Sequence, residues 1–321
     1  MYLRKRAIRS SAYGALASAL LAGSCLLGFA GTSGSSPARP AGGPDATTPS
    51  GSVYAWGDND AGQLGVGTVS TKGHNSDAAV PEASHLPTGT LAVAVAAGQS
   101  HSLFATTTGA VYATGFNGDG QLGTGNSTAT STPVPVDLPA GVDITSVAAG
   151  YKQSLALSST GALYSWGANN DGQSGDGASG KSVLSPTLIP LPAGATASAI
   201  GVGTNHDLAV TSTGLVYDWG LNSTGQLGNG STTNSDVPVQ AQLPAGVVAT
   251  AVAGGAGHSL ALTSTGAVYA WGDDTHGQLG DGSETQSVRL GSDWVLPVAV
   301  KRSCQPVLRS ASWVVGVVGA G

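Results

Sequence analysis

Charge is scarce in this chain. Only 9% of its 321 residues are Asp, Glu, Lys or Arg, and the formal net charge is −6. Between Pro40 and Val288 the only cations are Lys72, Lys152 and Lys181, so no basic stripe can form there. Nucleic acid is excluded as a partner on that ground. Cysteine is nearly absent: Cys25 and Cys304 are the two, and Cys25 falls in an N-terminal leader. The one remaining thiol cannot make an intramolecular disulfide, nor can it build a Cys-type metal site. Catalytic signatures are missing too, with no GxSxG elbow, no P-loop and no HExxH.

Glycine, by contrast, is abundant, with 50 residues, and 40% of the chain is hydrophobic. That balance suits turn-rich β-structure and fits neither long surface helices nor a charged disordered chain. One phrase accounts for much of it. GSVYAWGDNDAGQLGVG starts at Gly51, and close copies start at Gly109, Gly161, Gly214 and Gly266. The markers Trp56, Thr114, Trp166, Trp219 and Trp271 fall at steps of 58, 52, 53 and 52 residues. A fixed period in this range marks a propeller or solenoid array. The copies run 51–108, 109–160, 161–213 and 214–265, with a partial fifth at 266–282 and a different sequence over 283–321.

The first fifty residues stand apart from the repeats. Arg4, Lys5, Arg6 and Arg9 precede an apolar stretch from Ala15 to Ala30 that ends in small residues. This is the pattern of a secretory signal peptide over 1–30, which leaves no transmembrane span in the processed chain. Lipid attachment at Cys25 is the weaker alternative, because the small residues around it sit one place out of register. Apart from Arg39 and Asp45, residues 31–50 are Gly, Ser, Pro, Thr and Ala, a flexible linker. The expected location is extracellular.

Each copy predicts about four short strands. In Val268-Tyr269-Ala270-Trp271 both faces of the strand are apolar. A strand covered on both sides reads this way, as in a blade packed between two others. Trp56, Trp166, Trp219 and Trp271 are therefore expected in the core. The following Gly-x-x-x-x-Gly-Gln-Leu-Gly loop carries a glutamine at Gln63, Gln121, Gln173, Gln226 and Gln278. Its donor and acceptor can tie loop backbone that has no ladder partner. Proline-bounded edge segments follow (Pro133, Pro186, Pro238), then a strand of small residues such as Ile144 to Gly150, suited to a crowded centre. The last strand is HisSerLeuAlaLeuThrSerThrGly at His258, with counterparts at His101, Gln153 and His206, and its SerThrGly turn makes a hairpin into the next copy.

GxVYAWGxNxxGQLGxG followed by VxAVAAGxxHSLALTSTG resembles the repeat of the regulator of chromosome condensation family, over Gly51 to about Gly282. The resemblance implies an all-β propeller, normally of seven blades. Seven blades at this period need roughly 360 residues, and this chain holds about four and a third copies. The founding nuclear activity, nucleotide exchange on a small GTPase, does not carry over to an acidic, secreted chain. The same superfamily includes a secreted bacterial propeller that inhibits β-lactamases. After Gly282 the pattern stops, arginine returns at Arg289, Arg302 and Arg309, and Trp294 and Trp313 lack the following glycine. Such a change marks either a truncated or frameshifted reading or a diverged cap. An array of this kind is expected to leave unpaired edges that invite self-association, with no strand in Cys304 to Gly321 to match them.

Candidate chemistry is sparse. His101, His206 and His258 share one repeat position, which puts them on different blades and makes them structural rather than a zinc site. Asp58-Asn59-Asp60-Ala61-Gly62 resembles the start of a calcium loop, but Val69 stands where the bidentate Glu belongs, so an Asx turn is expected. No metal or cofactor is expected. The two glutamates, Glu82 and Glu284, fall in loops of different copies. Variation between copies concentrates at Asp58, Asn59 and Asp60, at Tyr151 and Lys152, at Asn205, and in the loop Val66 to Glu82. These are the candidate partner-binding positions. The pattern points to a secreted or surface-attached, non-enzymatic protein-interaction scaffold. A secreted hydrolase inhibitor and a propeller that binds or cleaves carbohydrate are the alternatives.

The leader reading makes a direct prediction. N-terminal sequencing of exported protein should begin near Gly31, and exported protein that still carries Arg4 would contradict it.

Overall fold

The computed structural model describes residues 52–70, 78–282, 284–285, 287 and 316–317. The leader, the linker, Lys72, Cys25, Cys304, Trp294 and Trp313 lie outside the described residues. What is described is all β, in five antiparallel sheets. Three sheets are complete: β3 (Ala92–Ala97) to β6 (Thr130–Pro135), β7 (Ile144–Ala149) to β10 (Val183–Ile189), and β11 (Ala197–Val202) to β14 (Ser235–Gln240). The fifth sheet holds β15 (Ala249–Gly254), β16 (His258–Thr263) and β17 (Val268–Gly272). The first holds β1 (Val53–Gly57), β2 (Ala78–Ala83) and the short β18 (Gly316–Val317).

The sheets are offset from the sequence copies by half a repeat. A sheet opens on the small-residue strand, continues through HisSerLeuAlaLeu and TyrAlaTrpGly, and ends on the proline strand. A copy begins on the third of these. Each copy therefore gives its first two strands to one sheet and its last two to the next, which knits neighbours covalently. Register repeats along with sequence: His101 faces Gly115, Gln153 faces Gly167, His206 faces Gly220 and His258 faces Gly272.

The small strands pack on one another in order, β3 on β7, β7 on β11 and β11 on β15. Ala94, Ala96, Ala197 and Ala249 keep these crowded inner strands thin, and all four are buried. The third strands of the middle sheets, β9 (Leu163–Gly167) and β13 (Val216–Gly220), are buried at every residue, as strands covered on both faces must be. Trp166, Trp219 and Trp271 are at most 1% exposed. Trp56 departs from this expectation. It is only half-buried, because the described residues place no sheet on its side of β1.

Two expectations about the tail need correction. Gly316 and Val317 pair antiparallel with Tyr54 and Val53, in the lane that the HisSerLeuAlaLeu strand takes in the other sheets, so a strand within Cys304 to Gly321 does meet the first sheet. The repeat pattern also outlasts Gly282. Ser287 exchanges both backbone hydrogen bonds with Gly272, at 2.8 and 3.0 Å, as Ser235 pairs with Gly220 in the complete fourth sheet. No turn-specific residue announces either contact in the sequence.

Truncating Trp219 to Ala should cost roughly 3–5 kcal/mol as a core deletion. It should lower the melting midpoint, whereas Trp56→Ala should cost clearly less. Equal losses would contradict the order in which the sheets stack.

Candidate functional site

In an antiparallel sheet the loops after the first and third strands emerge at the same end. Here that end carries the GlyGlnLeuGly loops and the short turns before His101, Gln153, His206 and His258. Most of the recurring residues there are occupied inside the frame. The glutamine Oε1 accepts from the backbone N–H two residues earlier in every copy, at 2.7 to 3.0 Å. An asparagine four residues before the glutamine closes the same loop. Asn59, Asn117, Asn169 and Asn222 accept from the amides of Leu64, Leu122, Ser174 and Leu227 at 2.9 to 3.0 Å, and Asp274 does the same for Leu279. Asn59 is 2% exposed and belongs to this set. It is a loop-core residue, not a surface contact, and its recurrence with Asn117, Asn169 and Asn222 was the signal for that role. Asp58 accepts from the Asp60 amide at 2.9 Å, an Asx turn, and Asp60 is exposed. Among the described residues no three His, Cys, Asp or Glu side chains are grouped to hold a metal ion.

The glutamine backbone carbonyl joins one sheet to the next. Trp166 donates its indole N–H to Gln121 O at 2.8 Å, Trp219 to Gln173 O at 2.9 Å and Trp271 to Gln226 O at 2.8 Å. Ser154 and Ser259 donate to the Gln121 and Gln226 carbonyls at 2.8 and 2.7 Å, and Ser102 donates to Gln63 O at 2.7 Å. Thr114, which replaces the tryptophan in the second sheet, donates to Gly62 O at 2.9 Å.

Each serine oxygen is then free to accept. His101 Nε2 lies 3.0 Å from Ser154 Oγ and His206 Nε2 lies 2.9 Å from Ser259 Oγ. Because the serine proton points to the carbonyl, the imidazole must donate, which fixes the Nε2–H tautomer. Burial lowers the His101 pKa to about 4. It lowers that of His206 to about 3, helped by the nearby His258. Both rings are neutral structural links. Gly203 leaves room for the second: a Cβ there would collide with the His206 ring. His258 is less enclosed, and its pKa is lowered by burial against the opposing pull of Asp273 and Asp274.

The seam between the third and fourth sheets is built differently. Gln153 stands where the others have histidine, and Asp207 where they have serine. Gln153 Nε2 is 3.4 Å from Asp207 Oδ1 and 3.3 Å from Gly203 O. Asp207 is fully buried, and burial pushes its carboxyl well above the usual range despite the opposing Gln153 bond. Asp218 on β13 is also fully buried and shifted the same way.

Residues that do not recur are the ones left at the surface. Tyr151 and Phe116 are each 38% exposed on either side of the seam between the second and third sheets. Lys152 lies between them, 5.8 Å from the Tyr151 ring and 5.9 Å from the Phe116 ring. Its Nζ pairs with Asp119 at 3.0 Å, and Ser182 donates to the other Asp119 oxygen at 3.2 Å. An ion pair this exposed contributes little stability. One seam along, Asn205 and Asn234 donate to the two oxygens of Asp171 at 3.3 and 3.2 Å. The structure thus joins Tyr151 and Lys152 in one cluster, and places Asn205 in a second and Asp58 and Asp60 in a third loop. Phe116 and Asp119 were not singled out in the sequence. The signal for Phe116 was its slot, shared by Asp58, Ala168, Leu221 and Asp273.

A family model described as RCC1-like domain matches residues 45–315. The ultraviolet-B receptor UVR8 of Arabidopsis thaliana is 35% identical over 237 residues, covering 74% of this chain and 52% of the receptor. The human E3 ubiquitin-protein ligase HERC2 is 35% identical over 242 residues, 75% of this chain but 5% of the ligase. The chain thus spans about half of the first relative and a small part of the second. Among solved structures, human WBSCR16 superposes with a TM-score of 0.67 at 28% identity, covering 74% of this chain and 61% of that one. Prp20p of Saccharomyces cerevisiae, described with its binding to Gsp1p and histones, gives 0.64 at 25% identity, covering 75% and 58%.

The buried histidines predict a pH effect of defined sign. Their folded pKa values lie below the ordinary 6.5, so each withdraws stability as pH falls from 6.5 towards about 4. The slope is about 1.4 kcal/mol per pH unit for each ring. The buried aspartates act oppositely over the same window, so a difference between variants isolates the histidine. Measured against wild type, His206→Gln should gain relative stability on acidification from pH 6.5 to 4. A pH-independent difference would contradict a neutral, buried His206.

Proposed function

The chain belongs to the RCC1-like domain family, and on that premise we propose that it is a secreted, non-enzymatic scaffold that binds a protein partner through the loop end of its sheets. One observation carries the reading. Recurring polar residues at that end are engaged within the frame, while exposed, non-recurring Phe116, Tyr151 and Lys152 cluster across one seam. Aromatic side chains beside a charge on a rigid frame are where binding energy concentrates. Secretion is supported by the leader pattern of residues 1–30. A non-catalytic role is supported by His101 and His206, whose rings are locked between sheets and have no access to substrate. The family's nuclear partners are poor models here, because histones and exchange on a nuclear GTPase presuppose a different compartment.

The test is a photo-crosslinking residue placed at Tyr151 or, as control, at the exposed Thr213 in the turn at the opposite end of the fourth sheet, with purified protein exposed to culture supernatant. A discrete protein adduct from position 151 alone is expected. Phe116→Ala with Lys152→Ala should weaken capture about tenfold or more, with no change in melting midpoint. Equal capture from both ends would overturn the assignment.

A further inference from the structure

Three seams in this protein share one hydrogen-bond circuit, and in one of them the residues are exchanged as a pair. In the His101–Ser154 and His206–Ser259 seams, a ring N–H donates to a hydroxyl oxygen, and that hydroxyl donates to a glutamine carbonyl. In the third, Gln153 Nε2 replaces the ring donor and Asp207 Oδ1 the hydroxyl acceptor. Gln173 O is the carbonyl of this seam and already accepts from Trp219. What remains is the second link. A carboxylate has only acceptors, and Asp207 Oδ2 is buried without a donor among the described residues. Asp207 holds the repeat position of Ser154 and Ser259, the residues whose hydroxyls donate in the other two seams.

We propose that Asp207 is a neutral carboxylic acid standing in for the serine of the other seams, with Oδ1 accepting from Gln153 and the Oδ2 hydroxyl donating to the Gln173 carbonyl, and that loss of this proton to solvent loosens the joint between the third and fourth sheets. A carboxyl group supplies one donor and one acceptor only in this form. The charged form would leave a buried anion with Oδ2 unserved and only the long Gln153 N–H on Oδ1 to compensate it. Burial shifts the carboxyl in the direction this requires. No neighbouring cation among the described residues neutralises the anion. Lys152, next to Gln153, is held by Asp119 at 3.0 Å. The Asp171 carboxylate of the adjoining loop is bound by Asn205 and Asn234, and Asp176 by Ser174. The neutral His206 ring reaches the opposite seam at Ser259. Asp218 is the other buried acid of this sheet. It pairs with Leu208, whereas Asp207 pairs with Trp219, so the two acids face opposite neighbours.

The joint is proton-held, and the sign follows. The folded state keeps its proton to higher pH than the unfolded chain, so stability is full in acid and declines as pH rises past the ordinary carboxyl range. The loops holding Asn205 and Asp171 meet at this joint, so its loosening would alter the surface they form.

Asparagine at position 207 is the neutral mimic, with Oδ1 as acceptor and Nδ2 as donor. Full-length Asp207→Asn should fold, match wild type near pH 5, and lose part of the decline in melting midpoint seen in wild type between pH 6 and 9. Hydrogen exchange in Gln153–Ser158 and Asp207–Thr211, corrected for the chemical rate, should rise about tenfold or more over that range in wild type and stay flat in the variant. An infrared difference spectrum, wild type minus Asp207→Asn at pH 7, should contain the carbonyl band of a protonated carboxylic acid. A carboxylate band in its place, or an Asn variant destabilised equally at every pH, would overturn the proposal. Should Asp207→Asn fail to fold, Gln153→His with Asp207→Ser installs the circuit of the other seams. That double variant should be stable with a flatter pH profile, and its failure to fold would count equally against the circuit.

Discussion

The glutamine carbonyl that accepts from the next sheet is the constraint on which the rest of the structure depends. A four-stranded antiparallel sheet has two faces to cover, and both are apolar here, so sheets must stack. Dispersion and burial favour stacking but do not fix its register. The indole of Trp166, Trp219 or Trp271 supplies both requirements. It fills the volume between sheets, and its N–H reaches one particular carbonyl in the neighbouring loop. The loop must hold that carbonyl still. Its glutamine and its asparagine (Asp274 in the fifth copy) satisfy amides that no strand partner serves, and do so in each copy.

The link from this frame to function is one of exclusion. Once a residue recurs in each copy to build a seam, it has no freedom to vary with a partner. What remains for recognition is the slot after the third-strand glycine and the two residues before the His or Gln of the second strand. In the third sheet these hold Tyr151 and Lys152, against Phe116 from the sheet before. The aromatic rings and the ion pair lie across a seam whose geometry is set by Trp166, Ser154 and His101 beneath them. Stability and recognition therefore reside in different residues of the same loops.

Much of this was legible in the sequence because the repeat amplifies the signal. The period, the strand count, the two-faced tyrosine-tryptophan strand and the loop role of the glutamine are visible by comparing copies. Asn59 shows where local comparison misleads. Beside Asp58 and Asp60 it looks variable, yet its alignment with Asn117, Asn169 and Asn222 places it in the loop core. Trp56 shows the opposite failure, since a recurring core residue is buried only where a neighbour covers it. The SerThrGly hairpin into the next copy already implied that sheets are offset from copies, whereas the contacts of Ser287 and of Gly316–Val317 could not be read at all. They depend on which strands meet across long sequence separation, and no local turn chemistry specifies that. The joint exchange of Gln153 and Asp207 was in plain view, but its meaning requires knowing that the two side chains meet.

The most direct test of the account is hydrogen exchange at the tryptophan indoles, followed by NMR on the full chain. The Nε1–H groups of Trp166, Trp219 and Trp271 should exchange slowly and together, because each is released only when a seam opens. The half-buried Trp56 should exchange faster. Uniformly fast exchange at all four, or protection of Trp56 equal to that of Trp219, would contradict the claim that the indole–carbonyl bond holds one sheet to the next.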